Sequence, residues 1–325
     1  MRYPGQKIAK RLLSSTRFQG VAASLFQPVR GSSFAGYWII QNSLKKSASP
    51  KDSDVVIYFF HGGGYNTSDP GLYVPLLLRT AEAILDRGHT ISIFALDYSL
   101  APEYPFACQL NQASAGYTYL TKELGISSSK IALFGDSAGG NLCLALLVHL
   151  QKPLPQIQPN PSAGLSRPGA GLFLLSPWVN LNSTHPSFEE NAGTDILPKA
   201  SLDTWAKNFL RSSPTTAEKE TYINFSKPGI ARPSWRSILP PKSWISAGSA
   251  EVFYGDISDF VTAAHEDGAD VAFNVKADGG HDWQLGDSLL GLRKYGARPL
   301  SQRSDGLILS ADEIGLAIVA VLNYA

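Results

Sequence analysis

The chain has 325 residues, 44% of them hydrophobic, and sets 28 Lys+Arg against 27 Asp+Glu for a formal net charge of +1. That length and apolar content suit one α/β domain with an accessory segment, and a charge near zero offers no general field for nucleic acid. No run of 18 or more apolar residues is present, so no membrane span is expected, and Cys108 and Cys143 lie in apolar helical patterns that read as small buried hydrophobes rather than a disulfide or metal site.

Residues 1–50 carry eight basic side chains (Arg2, Lys7, Lys10, Arg11, Arg17, Arg30, Lys45 and Lys46) and no acid. By itself that is a transit-peptide pattern. Ile8, Leu12 and Leu13 also fit one face of an amphipathic helix, and the favoured reading is an N-terminal arm that helps build a lid. No apolar signal core lies beside Met1, so a cytosolic setting is expected, with organellar import as the competing reading.

A strand pattern at 36–40 precedes Val55–Phe60, a β-branched and aromatic run that reads as a buried strand. His61-Gly62-Gly63-Gly64 follows directly. Three glycines leave backbone N–H groups uncovered, and preorganised donors of this kind stabilise the oxyanion of acyl transfer by about 2.7–4 kcal/mol each. The candidate donors are Gly63, Gly64 and, further on, Ala138. A phosphate-cradling loop is disfavoured, because no Gly-Lys-Ser/Thr follows and residues 65–70 read as more loop.

After a strand pattern at 91–96 comes Asp97-Tyr98-Ser99-Leu100-Ala101-Pro102-Glu103-Tyr104-Pro105-Phe106. The strand pattern 130–134 then runs into Gly135-Asp136-Ser137-Ala138-Gly139-Gly140 and a helical pattern at 139–150. Glycines two residues either side of Ser137 permit a sharp strand-to-helix turn that pushes its hydroxyl out above a sheet, so Ser137 is the candidate nucleophile. Residues 151–169, rich in Pro, Ser and Gln, read as a surface excursion. The strand pattern 171–175 leads into Ser176-Pro177-Trp178-Val179-Asn180-Leu181.

Residues 182–240 contain a helical pattern at 199–211 but no strand pattern. Their aromatics Trp205, Phe209, Tyr222, Phe225 and Trp235 read first as the core of that segment and second as pocket lining. Strand patterns at 242–247 and 271–275 flank a helix at 257–266, which Asp256 is placed to cap. Residues 286–306 read as a polar loop before a closing helix at 310–324. Strands alternating with helices imply right-handed βαβ units and a mostly parallel sheet, with the active residues at the carboxyl ends of its strands.

A serine nucleophile needs a general base within hydrogen-bond reach and a carboxylate to fix that base's tautomer. Of the six histidines, His61 belongs to the glycine loop, His89 and His265 read as surface positions, His149 lies on the helix after Ser137, and His185 sits in a Pro/Ser/Asn-rich stretch. That leaves His281, after the loop Lys276-Ala277-Asp278-Gly279-Gly280 and beside Asp282-Trp283.

With HGGG upstream of GDSAGG, the DYSLAPEYPF segment and SPWVNL, the chain resembles the hormone-sensitive-lipase branch of the α/β-hydrolase family over about residues 55–281, in the same order; its overall look is similar to fungal members. The resemblance implies an α/β-hydrolase fold: a mostly parallel central sheet flanked by helices, with a helical lid from the N-terminal arm and an insertion. It divides the chain into an arm (1–50), a first part of the catalytic core (51–181), a lid insertion (182–240) and a second part of the core (241–325). It puts the catalytic histidine at His281. The family's aspartate slot, three residues beyond Gly248, holds Glu251, favoured over Asp256 as the acid. The family often continues HGGG with a small residue and Gly-Ser, absent here, so a different pocket entrance is expected.

The expected activity is ester hydrolysis through a Ser137 acyl-enzyme, by a carboxylesterase or acetylesterase acting on small to mid-sized esters, with no cofactor and no metal. The alternatives are a specialised-metabolism enzyme using the same residues for transacylation, thioester release or lactonisation, and a non-catalytic ligand-binding receptor. The expected partner is a small-molecule ester, with no nucleic acid and no transmembrane segment. Oligomeric state stays open, a homodimer being one option.

Overall fold

Val55–Phe60 is buried at every position, as a strand covered by helices on both faces must be. In the computed structural model, which describes residues 5–44, 48–157, 160, 163–226 and 232–323, it lies inside an eight-stranded sheet. The strands are β1 (Gln27–Arg30), β2 (Ala35–Ile40), β3 (Val55–Phe60), β4 (Ile91–Leu96), β5 (Ile131–Asp136), β6 (Leu172–Leu175), β7 (Ser243–Gly248) and β8 (Val271–Lys276). Their order is β1-β2-β4-β3-β5-β6-β7-β8. From β4 to β8 all neighbours run parallel, while β1 and β2 add an antiparallel edge. The α/β-hydrolase expectation of a mostly parallel sheet flanked by helices holds.

β1 was not expected. Its four residues alternate between half-buried and exposed, and Pro28 is tolerated because the strand forms an edge.

A second difference lies near the C terminus. The stretch 286–306, expected as a loop, begins inside a helix, Trp283–Ala297. Gly291 serves close packing, since a Cβ there would stand 2.6 Å from the Leu307 carbonyl oxygen, whereas one at Gly286 would meet open space. The closing helix runs Leu309–Leu322, and the expected end at Tyr324 lies outside the described residues.

Two apolar cores cover the sheet faces. One packs Tyr58, Phe60 and Leu133 with Leu142, Leu146, Trp178 and Trp235; the other packs Ile57, Phe59 and Phe134 with Leu76, Ile314 and Ile318. The N-terminal helix Gly5–Leu13 buries Ala9 and Leu12 in the second core. Arg17 behind it is buried and donates to both Glu82 oxygens at 2.7 Å. Arg79 joins Glu82 to Asp312 of the closing helix, so part of the N-terminal basic excess is spent on a buried ion network. Arg2, Lys45 and Lys46 lie outside the described residues.

Residues 182–240 contribute the helices Ser187–Glu190, Lys199–Phe209, Thr216–Tyr222 and Trp235–Ile238, the third begun by a Thr215/Glu218 capping box. The expected helix at 199–211 tightens into a 3-10 turn at Leu210–Ser212. No helix among the described residues is long and apolar enough to cross a membrane. Cys108 and Cys143 are free thiols.

Candidate active site

β5 ends at Asp136 and the next helix starts at Ser137 with φ +48°, a conformation L residues avoid unless the surroundings impose it. A Cβ at Gly139 would lie 2.0 Å from the Phe60 carbonyl oxygen, and one at Gly135 would lie 2.6 Å from the Gly139 backbone. Both glycines are therefore required where strand and helix cross, and the strained turn leaves Ser137 lining a cavity beside His281.

His281 sits between β8 and the helix Trp283–Ala297. Its Nδ1 is 2.9 Å from Glu251 Oε2, and the other Glu251 oxygen accepts from the Gly248 N–H at 3.0 Å. Phe253 packs against the imidazole in a T-shaped pair with ring centroids 5.0 Å apart. Asp195, from the 182–240 segment, accepts from the His281 N–H at 3.1 Å and the Val252 N–H at 2.7 Å, tying the two loops together. No sequence motif pointed to Asp195.

Asp256 is elsewhere. It accepts from Asn180 at 3.1 Å and makes no hydrogen bond to His281. Nor does it cap its helix: the N-cap is Phe253, and Asp256 stands within the first turn of Tyr254–Glu266, where a carboxylate suits the positive end of the helix dipole. The expectation of a cap at Asp256 is corrected accordingly.

The glycine loop is held from both sides. His61 stacks on Tyr98 at 4.1 Å, and the Tyr98 hydroxyl donates to the His61 carbonyl at 2.6 Å. Burial pushes the His61 imidazole down to about 4, so it is neutral. The Tyr73 hydroxyl accepts from the Gly62 N–H at 3.1 Å and donates to Asp136 Oδ2 at 2.7 Å. Asn66 donates to the Gly64 and Trp205 carbonyls, fastening the loop to the helix Lys199–Phe209. No acceptor among the described residues takes the Gly63 or Gly64 N–H. Ala138 lies in the first turn of its helix, where N–H groups lack an intrahelical partner.

Burial disfavours charge on His281, yet the Asp282 and Glu251 carboxylates outweigh it and hold the imidazole well above its ordinary range. Burial raises Glu251, with the His281 contact opposing. Asp136 is pushed well above the carboxylate range by burial and then by the Asp282 carboxyl against it.

The cavity over Ser137 measures about 550 Å³ and is lined by Leu72, Leu197, Trp205, Trp283, Leu285 and Leu289 together with the glycine loop; among the described residues no Lys or Arg lines it. Of the aromatics in 182–240, Trp205 lines this cavity. Phe209 stacks on Tyr65 at 3.9 Å, while Tyr222, Phe225 and Trp235 are buried in the core.

A serine on a strained strand-to-helix turn, a carboxylate-backed histidine after the last strand and a glycine loop after β3 define the architecture of an α/β hydrolase. The sequence profile of the alpha/beta hydrolase fold matches residues 57–285, and the chain belongs to that family. It is similar to mouse (Mus musculus) hormone-sensitive lipase, 34% identical over 121 residues that make up 33% of this chain and 15% of that protein. It is also similar to Lipase 2 of Moraxella sp. (strain TA144), 32% identical over 177 residues, 46% of this chain and 38% of that one. The chain thus spans well under half the length of these relatives. Among solved structures, a hormone-sensitive lipase from a metagenome library superposes with a TM-score of 0.70 at 23% identity, covering 99% of this chain and 93% of that one.

Proposed function

We propose that the protein is a serine carboxylesterase in which Ser137 is the nucleophile, His281 the general base and Glu251 the acid that orients it. The observation that carries this reading is the 2.9 Å Glu251–His281 contact next to a serine held at φ +48°. His281 Nε2 takes the Ser137 proton as Oγ attacks the ester carbonyl. The Gly63, Gly64 and Ala138 amides hold the oxyanion. His281 then gives that proton to the leaving alkoxide. Water, deprotonated by the same nitrogen, attacks the acyl-enzyme; the acid leaves and the proton returns to Ser137.

The apolar cavity, without a cationic side chain among the described residues of its lining, favours neutral esters with an apolar acyl or alcohol part. Thr194, Ile196, Leu197 and Trp205 form one wall of it, which supports reading 182–240 as a lid over a core made of 51–181 and 241–325, with 1–50 as an arm against the core. The relatives named as lipases are consistent with ester substrates. The test is hydrolysis of p-nitrophenyl esters from acetyl to octanoyl by wild type and Ser137→Ala. Turnover of the short and middle chains, abolished in the variant, is expected; no turnover of any ester by wild type would overturn the reading.

A further inference from the structure

His281 stands between two carboxylates. Glu251 holds Nδ1, and Asp282 Oδ2 lies 3.1 Å from Nε2, the nitrogen that must receive the Ser137 proton. The structure gives Nε2 this partner and no hydrogen bond to the Ser137 hydroxyl. Asp282 is the N-cap residue of the helix Trp283–Ala297, yet its side chain makes no capping bond. The carboxylate is turned to the imidazole instead, from a backbone at φ +51° whose N–H donates to Ser176 Oγ at 3.2 Å.

What keeps it there is visible in two orphaned atoms. Asp282 Oδ1 and Asp136 Oδ1 are both buried without a hydrogen-bond partner among the described residues, and the two carboxyl groups are near enough for Asp282 to raise Asp136. Two ionised carboxylates are acceptors only and cannot satisfy one another. One proton shared between the two carboxyl groups would satisfy both, while Asp136 Oδ2 still accepts from Tyr73.

We propose that Asp282, propped by a protonated Asp136, is a positioning residue that keeps a proton on Nε2 of His281 in the resting protein, so that the base is released only when that clamp is discharged or displaced. The proposal rests on the reading of His281 as the base. The other charged or titratable groups around the imidazole do not remove the clamp. Glu251 adds to it, Asp195 meets the His281 backbone N–H, and Tyr73 bonds Asp136. Lys276 lies over the outer Trp283 ring at 5.2 Å. Burial opposes the imidazolium, but the two carboxylates prevail.

The test is an NMR titration of protein carrying 15N-labelled histidine, with His281 assigned by its loss in His281→Gln, in wild type, Asp282→Asn and Asp282→Gly. Glycine accepts the φ of this position, so Asp282→Gly adds no backbone strain there, and thermal denaturation checks that each variant is folded before it is titrated. In wild type, His281 is expected to stay protonated through neutral pH, and in both variants its midpoint falls by at least one pH unit toward the ordinary value of about 6.5. The acidic limb of kcat/KM moves down with it. A wild-type midpoint near the ordinary value, or one shared by all three proteins, overturns the clamp. Because the titration needs no turnover, a protein that shows the shift but hydrolyses no ester contradicts the proposed function and leaves the clamp standing.

Discussion

The Tyr73 hydroxyl donates to Asp136 Oδ2 at 2.7 Å while accepting from the Gly62 N–H, so one side chain joins the turn that presents Ser137 to the loop that presents the free amides. The two halves of the site are positioned as one unit through a residue that belongs to neither motif.

Tyr73→Phe removes that joint and leaves a buried N–H without its partner, a loss of about 1–3 kcal/mol. A lower Tm is expected, together with a kcat reduced roughly tenfold or more and KM little changed, since about 1.4 kcal/mol of lost positioning is a factor of ten in rate. Thermal denaturation and steady-state kinetics on one ester check both.

The choice between Glu251 and Asp256 is testable with isosteric amides. Glu251→Gln deprives His281 of the acceptor at Nδ1 and is expected to lower kcat by about 10⁴. Asp256→Asn changes a group bonded to Asn180 and is expected to keep kcat within a few-fold of wild type. The opposite pattern would exchange their roles.

How much of this was legible in the sequence depended on whether a feature is local. Val55–Phe60, Ile91–Leu96 and Ile131–Asp136 are continuous apolar runs because parallel strands are covered on both faces, and they are readable as such. β1 is not: Gln27-Pro28-Val29-Arg30 has no such run and is a strand only because β2 pairs with it. The helix Trp283–Ala297 was obscured by Gly286, Gly291 and Gly296, of which Gly291 reflects a tight approach to Leu307 rather than a loop. Ser137 and the HGGG loop announce themselves because a turn and a set of exposed amides each need a short fixed string. Asp195, Tyr73 and the Asp136–Asp282 contact do not. Each depends on elements far apart in the chain meeting in space, and no local spacing encodes that.

Stability should fall on the alkaline side of neutral pH. His61 is neutral when buried, with its folded value depressed to about 4. At this site the unfolded chain binds more protons between about 4 and 6.5, and the His61 contribution to stability drops as pH falls through that window, by on the order of 3 kcal/mol. His281 is raised, so the native state holds its proton and stability drops as pH rises above about 6.5 toward its folded value. Asp136 is raised from the carboxylate range, so its share is lost from about pH 4 upward and offsets the His61 slope before adding to the alkaline one. Asp136→Asn, whose amide can donate where the protonated acid does, is expected to flatten the alkaline side. Urea unfolding at intervals from pH 4 to 9 measures both slopes; a stability that rises steadily to pH 9 in wild type would contradict the burial of protonated His281 and Asp136.

The central claim is that Ser137 is the nucleophile, and covalent labelling by a fluorophosphonate reports on it most directly. Intact-mass and peptide analysis of the labelled protein is predicted to show one adduct per chain on the peptide containing Ser137, none in Ser137→Ala, and labelling slowed strongly in His281→Gln. An adduct on another residue, or full labelling of Ser137→Ala, would contradict the account.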